Sequence, residues 1–236
     1  MVQWKARIHM LKAVIFDFDG VIADSEALHY EALDAVFKRY GVDVPKEVHW
    51  DKYLGYSDRE NIEAVNVDYG MEWDNAKVQV LIDEKKVVFD ELVTSGSIII
   101  DGVATFIQRL IDGGIRRAIC SGALRSDIGL MLAGADFKDA FEVIVAADDV
   151  THGKPDPEGY LLALSQLNKK AAALIQPNQC VVIEDSHWGL EAAAAAGMNP
   201  IAVTNTYSRG ELAQEGRKVI DRLDELTMAD LSDLCG

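Results

Sequence analysis

The sequence predicts an α/β protein built on a doubly wound parallel sheet, with an all-helical domain inserted after the first strand. Two patterns support this fold class. Short apolar segments typical of buried strands alternate with amphipathic helical segments over most of the chain, whereas residues 25–94 show helical periodicity alone. The chain has 236 residues, of which 49% are hydrophobic, and this is enough for a large core and a smaller second one.

The first strand is predicted within residues 11–25, LKAVIFDFDGVIADS. The apolar run AVIF leads directly into Asp17 and Asp19, and Gly20 follows, so we expect a buried strand that ends in a tight turn. Two carboxylates two positions apart leave a strand on the same side. Such a pair suits a metal site, a nucleophile or an acid/base pair, and on its own it is equally compatible with a simple acidic turn.

The inserted domain is predicted to contain four helices. The first begins after a cap at Asp24 or Ser25 and runs to about residue 40, and the others cover residues 45–54, 57–69 and 73–92. The last two are amphipathic, so their Asp, Glu and Lys side chains are expected to face solvent. We therefore predict an α/β core from residues 1–24 and 95–236 and a helical cap domain from residues 25–94. Hinges are expected near residue 24 and at residues 95–97.

The second part of the chain is predicted to alternate between helix and strand, as a Rossmann-like sheet requires. Strands are expected at residues 116–120, 143–145, 181–183 and 200–203, with a short edge strand at 218–220. Helices are expected at residues 103–112, 125–133, 157–168 and 186–196, with a last one from Met228.

Composition restricts the possible partners. The formal net charge of −16 argues against nucleic acid and acidic membrane surfaces, because a polyanion is repelled from most of such a protein surface. The three cysteines lack metal-ligand spacing, and no apolar run approaches the length of a membrane span. We expect a soluble cytoplasmic protein, a monomer or weak homodimer, in which residues 1–10 are an N-terminal extension.

Three further signals follow predicted strands. Ser121 and Gly122 end the second strand, where a hydroxyl and backbone N–H groups can meet an anion. Lys154 stands in the stiff loop HGKPDP, and a fixed ammonium suits a phosphoryl group. Glu184 and Asp185 end a buried strand, where adjacent acids need a cation or hydrogen bonds. We interpret Asp185 as a metal ligand and Glu184 as a supporting group or occasional ligand.

The carboxyl ends of parallel strands meet at one edge of a sheet, so these residues are expected to converge with Asp17 and Asp19 in one crevice. Carboxylate oxygens without clustered His or Cys favour a hard cation, and we predict Mg²⁺. Acidic ligands, a hydroxyl and an ammonium around an anion-sized gap predict phosphoryl transfer, with an aspartyl-phosphate intermediate available to Asp17.

As an ordered set, DFDGVIADS, the strand-end Ser121, GKPDP and VVIEDS resemble the four motifs of the haloacid dehalogenase superfamily, and the helical insertion resembles its C1-type cap. The resemblance implies a nucleophile at Asp17, a general acid/base at Asp19, and phosphate contacts from Ser121 and Lys154. It also implies Mg²⁺ bound by Asp17, the Asp19 carbonyl and Asp185. In this family an Asp two positions after the nucleophile accompanies phosphate ester chemistry, so dehalogenation is not expected.

Substrate contacts are predicted in the motifs and in the cap domain. The segment LGYSDRENI resembles the cap loop of beta-phosphoglucomutases and sugar phosphatases, and His29 matches a position of both groups. The chain departs from the mutase pattern at Leu54, where a basic residue is expected, and Arg59 comes one position late. Arg125 is a possible substitute cation. The predicted substrate-binding residues are Gly20, His29, Gly55, Arg59, Gly122 and Arg125.

These inferences predict a Mg²⁺-dependent phosphatase for a small phosphorylated metabolite of the sugar phosphate class. A hexose-phosphate mutase of the beta-phosphoglucomutase kind is the alternative. A third hypothesis is a non-catalytic sensor of phosphorylated ligands. The complete motif set argues against the sensor, because a sensor has no need of an acid/base at Asp19.

Overall fold

A computed structural model describes residues 10–95 and 98–235. The extension predicted at residues 1–10 therefore lies, apart from Met10, outside the described residues, as do residues 96–97 of the predicted second hinge. The chain divides into two compact units. One contains Met1–Asp24 and Ile98–Gly236, and the other contains Ser25–Ser97. We call them the α/β unit and the helical unit.

The α/β unit is built on a six-stranded sheet in which every pair of neighbouring strands is parallel. The strands lie in the order β3-β2-β1-β4-β5-β6. This arrangement confirms the predicted fold class. The strands are β1 (Ala13–Phe16), β2 (Arg116–Cys120), β3 (Val143–Val145), β4 (Cys180–Glu184), β5 (Asn199–Val203) and β6 (Lys218–Ile220).

Strand β1 occupies the centre of the sheet, between β2 and β4. All four of its residues are completely buried, as expected for an apolar run covered on both faces. Phe16 lies opposite Ile119 of β2 and Ile183 of β4. The register therefore places the carboxyl ends of these three strands side by side, and the residues that follow each strand are neighbours in space.

The helical unit consists of α1 (Glu26–Arg39), α2 (Lys46–Lys52), α3 (Asp58–Asp68) and α4 (Asn75–Ser95). Helix α3 begins at a capping box, in which the Ser57 hydroxyl and the Glu60 side chain satisfy each other's backbone N–H groups. The unit has its own apolar core, with Val36, Phe37 and Leu81 among its buried members. The prediction that the lysines of α4 face solvent is wrong for Lys85, whose side chain is only 2% exposed.

The helices of the α/β unit alternate with its strands. They are α5 (Val103–Asp112), α6 (Arg125–Leu132), α7 (Glu158–Lys169), α8 (His187–Ala195), α9 (Arg209–Leu212) and α10 (Met228–Leu234). Helices α7 and α8 supply Tyr160, Leu167 and Ala193 to the core beneath the sheet. Within residues 10–95 and 98–235, the structure contains no helix with the length and apolar character of a membrane span.

Candidate active site

The turn after β1 carries the first two candidate residues. Asp17 is 7% exposed, and its backbone N–H continues the sheet by donating to the Ile183 carbonyl at 2.9 Å. Phe18 is completely buried. Asp19, which points to the opposite side of the chain from Phe18, is half-buried. Gly20 has a φ of +72°, and a Cβ atom at this position would lie 1.8 Å from Oδ2 of Asp185. Glycine is therefore needed both for the turn and for close contact with the end of β4.

Lys154 is held by two acids. Its Nζ donates to Oδ1 of Asp17 at 2.6 Å and, through a short hydrogen bond, to Oε1 of Glu184. The loop that carries it lies between β3 and α7, and the lysine side chain is 18% exposed. The structure thus brings together the residues predicted from the DFDG, GKPDP and VVIEDS motifs.

Ser121 follows β2 and is 5% exposed. Its backbone N–H donates to the Val145 carbonyl at 3.0 Å, which keeps it in line with β3. Its hydroxyl donates to Oδ2 of Asp19 at 3.2 Å and accepts from the Ala123 N–H at 2.9 Å. The structure therefore places Ser121 beside Asp19. No atom of the described residues would lie within 4 Å of a Cβ added at Gly122, so its backbone is accessible.

Glu184 is completely buried, and its carboxylate accepts five hydrogen bonds. Oε1 accepts from Lys154 and from the Tyr160 hydroxyl, the latter at 2.8 Å. Oε2 accepts from the Asp185 N–H and from both the N–H and the hydroxyl of Ser186. Sequence reasoning did not identify Tyr160, since a tyrosine in a helix usually packs and carries no motif signal.

The acids at the ends of β1 and β4 form a group that could hold a metal ion. Asp17, Glu184 and Asp185 each offer a carboxylate oxygen, and these oxygens lie within 4.8 Å of one another. All three residues are buried, and Nζ of Lys154 contacts two of them, Asp17 and Glu184. Three buried carboxylates and one ammonium leave negative charge for a cation to offset, and an all-oxygen donor set suits Mg²⁺.

The same crowding alters the pKa values of the group. Burial, followed by the charge of Glu184, raises the pKa of Asp17 well above its ordinary value, against the opposing effect of Lys154. Burial and Glu184 raise the pKa of Asp185 to about 7. Burial alone would lower the pKa of Lys154, but Asp17 and Glu184 raise it well above its usual range. The lysine therefore stays positively charged at neutral pH.

A cavity of about 230 Å³ adjoins Ser121, Gly122 and Lys154. Its walls come from the ends of β2 and β3, the loop that carries Lys154, and the start of α7, including Tyr160. The cavity gives space beside the hydroxyl and the ammonium that were predicted to contact a phosphoryl group.

Arg125 is not among the residues that line this cavity. Its guanidinium donates to the Ile144 carbonyl at 2.8 Å and makes a short ion pair with Asp149. Its backbone N–H donates to Asp148 at 3.0 Å. These contacts hold Arg125 against the loop after β3, and its role as a substitute cation stays a prediction.

The residues predicted in the helical unit occupy different settings. Gly55, with a φ of +81°, lies in the turn before α3. Arg59 is 45% exposed and donates to Gln79 at 2.8 Å and to Glu63 at 3.3 Å. Nδ1 of His29 lies 2.6 Å from Nζ of Lys85, and the histidine ring stacks on Phe89 with centroids 4.3 Å apart.

Lys85 organises a polar cluster in the helical unit. Its ammonium contacts Oδ1 of Asp58 at 2.6 Å in addition to His29. Because a lysine ammonium can only donate, Nδ1 of His29 is the acceptor, and the ring proton of a neutral His29 is on Nε2. The sequence carried no signal for this cluster, because Asp58 and Lys85 belong to different helices.

Comparison with known proteins identifies the family. A family model described as haloacid dehalogenase-like hydrolase matches residues 14–203. The chain belongs to the haloacid dehalogenase-like hydrolase family. The matched range contains Asp17, Ser121, Lys154 and Asp185, and the prediction of an enzyme from this family is confirmed.

Relatives of this haloacid dehalogenase-like hydrolase include a "Phosphorylated carbohydrates phosphatase" from Thermotoga maritima. It is 34% identical over 89% of this chain and 93% of the relative. A "Beta-phosphoglucomutase" from Bacillus subtilis is 27% identical over 82% of this chain and 83% of its own. A solved structure of a CbbY mutant from Rhodobacter sphaeroides in complex with xylulose-(1,5)bisphosphate has a TM-score of 0.75 and 27% identity. The match covers 92% of this chain and 96% of that protein.

Proposed function

We propose that this hydrolase is a Mg²⁺-dependent phosphatase that removes phosphate from a small phosphorylated metabolite of the carbohydrate class. The observation that carries the proposal is the setting of Asp17, a buried carboxylate that contacts Lys154 and neighbours Glu184 and Asp185. A nucleophile, a fixed cation and acidic metal ligands are the parts that phosphoryl transfer needs. The relative named as a phosphorylated carbohydrates phosphatase supports the substrate class.

The reaction is proposed to run in two displacements. In the first, a carboxylate oxygen of Asp17 attacks phosphorus, the ester P–O bond breaks, and Asp19 gives a proton to the leaving alkoxide. In the second, Asp19 takes a proton from a water molecule whose oxygen attacks phosphorus. The bond between Asp17 and phosphorus then breaks, and inorganic phosphate leaves.

The metal is proposed to bind Asp17, Asp185 and the carbonyl of Asp19. When bound, Mg²⁺ would offset the negative charge on the transferring phosphoryl group. Glu184 belongs to the same acidic group, but its oxygens already accept five hydrogen bonds. We therefore assign Glu184 chiefly to holding Lys154.

Phosphate binding is proposed beside Asp17, at the edge of the cavity to which Ser121, Gly122 and Lys154 contribute. The Ser121 hydroxyl and the Lys154 ammonium would donate to phosphoryl oxygens, and the accessible backbone of Gly122 would add an N–H donor. Gly20 is proposed to act by allowing the turn to approach. His29, Gly55 and Arg59 remain candidate contacts for the rest of the substrate.

The proposal can be tested with purified protein and a panel of phosphate esters that includes xylulose 1,5-bisphosphate, hexose phosphates and non-carbohydrate esters. We expect phosphate release from at least one carbohydrate phosphate, loss of activity with a chelator, and recovery with Mg²⁺. Asp17→Asn should lower kcat by at least about 10³-fold, because the nucleophile is removed. Asp24→Asn, at an exposed position of the same segment, is the matched control and should keep wild-type activity.

Two results would contradict the proposal. Absence of turnover across the whole panel would favour a non-catalytic sensor of phosphorylated ligands. Undiminished activity of Asp17→Asn would remove the covalent route.

A hexose-phosphate mutase remains the second candidate because of the 27% identity to a beta-phosphoglucomutase. A mutase must bind a second phosphate during turnover, yet Arg59 is paired with Gln79 and Glu63, and Arg125 with Asp149. The test is conversion of hexose 1-phosphate to 6-phosphate, primed by a bisphosphate. Release of inorganic phosphate as the sole new product would exclude the mutase.

A further inference from the structure

The segment after β5 contacts both the end of β4 and the turn after β1, although none of its residues was predicted to belong to the site. The Thr206 hydroxyl donates a short hydrogen bond to Oδ2 of Asp185. Nδ2 of the adjacent Asn205 donates to the carbonyl of Gly20 at 2.7 Å. One short segment therefore binds the end of β4 and the turn after β1, which contribute the proposed metal ligands.

The contact between these parts is tight. A Cβ atom on Gly20 would lie 1.8 Å from Oδ2 of Asp185 and 3.0 Å from Oγ1 of Thr206, so the turn, the carboxylate and the hydroxyl touch one another. Asp185 is 4% exposed and lies among other acids. A hydroxyl donor in this setting stabilises the ionised carboxylate and fixes the direction of its oxygens.

The segment is itself anchored to the sheet. The N–H of Thr204 donates to the Ile220 carbonyl at 3.0 Å, which extends the pairing of β5 with β6. The Thr204 hydroxyl donates to Asp221 at 2.7 Å. Thr204 and Thr206 are thus chemically identical residues in one segment, and each uses its hydroxyl on a different carboxylate.

We propose that Thr206 and Asn205 are positioning residues of the Mg²⁺ site: Thr206 holds the Asp185 carboxylate, and Asn205 holds the turn that carries the Asp19 carbonyl. The inference rests on the proposed function, because it concerns the metal of that reaction. It assigns to the chain a part of the site that lies outside the four motifs.

The test is direct titration of the metal-stripped full chain with Mg²⁺ by calorimetry, with no substrate present. Thr206→Val keeps the shape of the side chain and removes the donor, and should raise the Mg²⁺ dissociation constant about 10- to 100-fold. Thr206→Ser retains the hydroxyl and should stay close to wild type. Thr204→Val is the matched control: it keeps the backbone bond to Ile220, which anchors the segment, and removes a hydroxyl that contacts Asp221 and not Asp185, so Mg²⁺ binding should stay close to wild type. Asn205→Ala should weaken binding through the second contact.

The outcomes separate the two proposals. In the first outcome, wild type binds Mg²⁺, and the two variants Thr206→Val and Asn205→Ala bind it equally well while circular dichroism shows that they are folded. This result refutes the positioning roles and leaves the proposed function standing. If wild type binds no Mg²⁺, both fail. Should Thr206→Val not fold, the same comparison is made with Asn205→Ala, and an unchanged dissociation constant refutes the role of the segment. In kinetic assays, raised Mg²⁺ should restore kcat to Thr206→Val, because only the binding of the metal is impaired.

Discussion

Tyr160 and Glu184 show how a single buried side chain can determine the position of another. Glu184 has no exposed surface, and one of its oxygens accepts from both Lys154 and the Tyr160 hydroxyl. The tyrosine ring also lies 5.4 Å from the lysine ammonium, on its face. Lys154 is therefore held from two directions before any substrate arrives. Under the proposed function, this would fix the orientation in which it binds a phosphoryl group.

Tyr160→Phe should lower kcat/KM for the phosphate ester about 3- to 10-fold and cost about 1 kcal/mol of unfolding free energy, because the buried acceptor loses one donor. Steady-state kinetics and urea denaturation measure the two effects. Tyr40→Phe is the matched control, since the Tyr40 hydroxyl donates to Glu84 at 2.6 Å in the helical unit. It should affect stability alone. An unchanged kcat/KM for Tyr160→Phe would mean that the tyrosine serves only the fold.

At the residue scale, sequence reasoning picked out the acids and the lysine that stand in motifs and missed the residues that contact them. Asp17, Lys154 and Asp185 could be predicted because each follows an apolar strand or lies in a stiff loop. Thr206 could not, because its partner is fixed by the pairing of β4 with β5 and by a turn elsewhere in the chain. For the same reason the pairing of Arg125 with Asp149 was not foreseen: it depends on the path of a loop.

At the scale of elements, α8 must pack unusually close to the end of β4. Gly189, the third residue of α8, lies where a Cβ atom would be 1.7 Å from Oε1 and 1.9 Å from Cδ of Glu184. The carboxylate is completely buried, and five hydrogen bonds hold it in place. The helix therefore requires glycine here in order to cover Glu184 and leave its hydrogen bonds intact.

Gly189→Ala should destabilise the protein by about 2–4 kcal/mol, because an added methyl group overpacks a filled site and displaces a buried charge. Gly129→Ala is the matched control: Gly129 lies inside α6, and a Cβ atom there would have no neighbour within 4 Å among the described residues. It should stabilise the helix by up to about 1 kcal/mol. Urea denaturation of both variants decides the matter. Equal changes in the free energy of unfolding would show that helix propensity, and not contact with Glu184, determines the effect of substituting Gly189.

The elements themselves were largely predictable. The bounds of β2, β3, β6 and α5 agree with those predicted, because each combines an unambiguous apolar pattern with clear flanking residues. Where helix ends differed from the predicted bounds, the difference was one to three residues. At α3 the capping box of Ser57 and Glu60 makes Asp58 the first helical residue, one after the predicted start. Single-residue burial, as at Lys85, was not predictable, since it depends on a partner on another helix.

At the scale of the whole molecule, each unit has its own apolar core and its own buried polar group. The α/β unit buries Glu184 with Lys154, and the helical unit buries Lys85 with Asp58. The Asp58 side chain is 34% exposed, so water can solvate it in part if its partner is lost. Damage to one core should therefore be confined to the unit that contains it.

Lys85→Met should lower the local stability of the helical unit by about 1–3 kcal/mol, because it removes the partner of Asp58 and a donor to His29. Hydrogen exchange should speed up at amides of α1–α4 and stay unchanged in β1–β6. Lys86→Met is the matched control, next along the helix, with a 48% exposed side chain paired with Asp90 at 3.2 Å. It should change stability by less than about 0.5 kcal/mol. A uniform rise in exchange across both units would show that they unfold together.

The central position of β1 has a consequence for the chain while it is being synthesised. Asp17 is made early, but the residues that surround it come from β2, β4 and the loop between β3 and α7, and β4 pairs directly with β1. Until Asp185 has been synthesised and β4 has inserted beside β1, no assembled group of acids exists. Under the proposed function, the nascent chain therefore cannot act on cellular phosphate esters before β4 has been made and paired with β1.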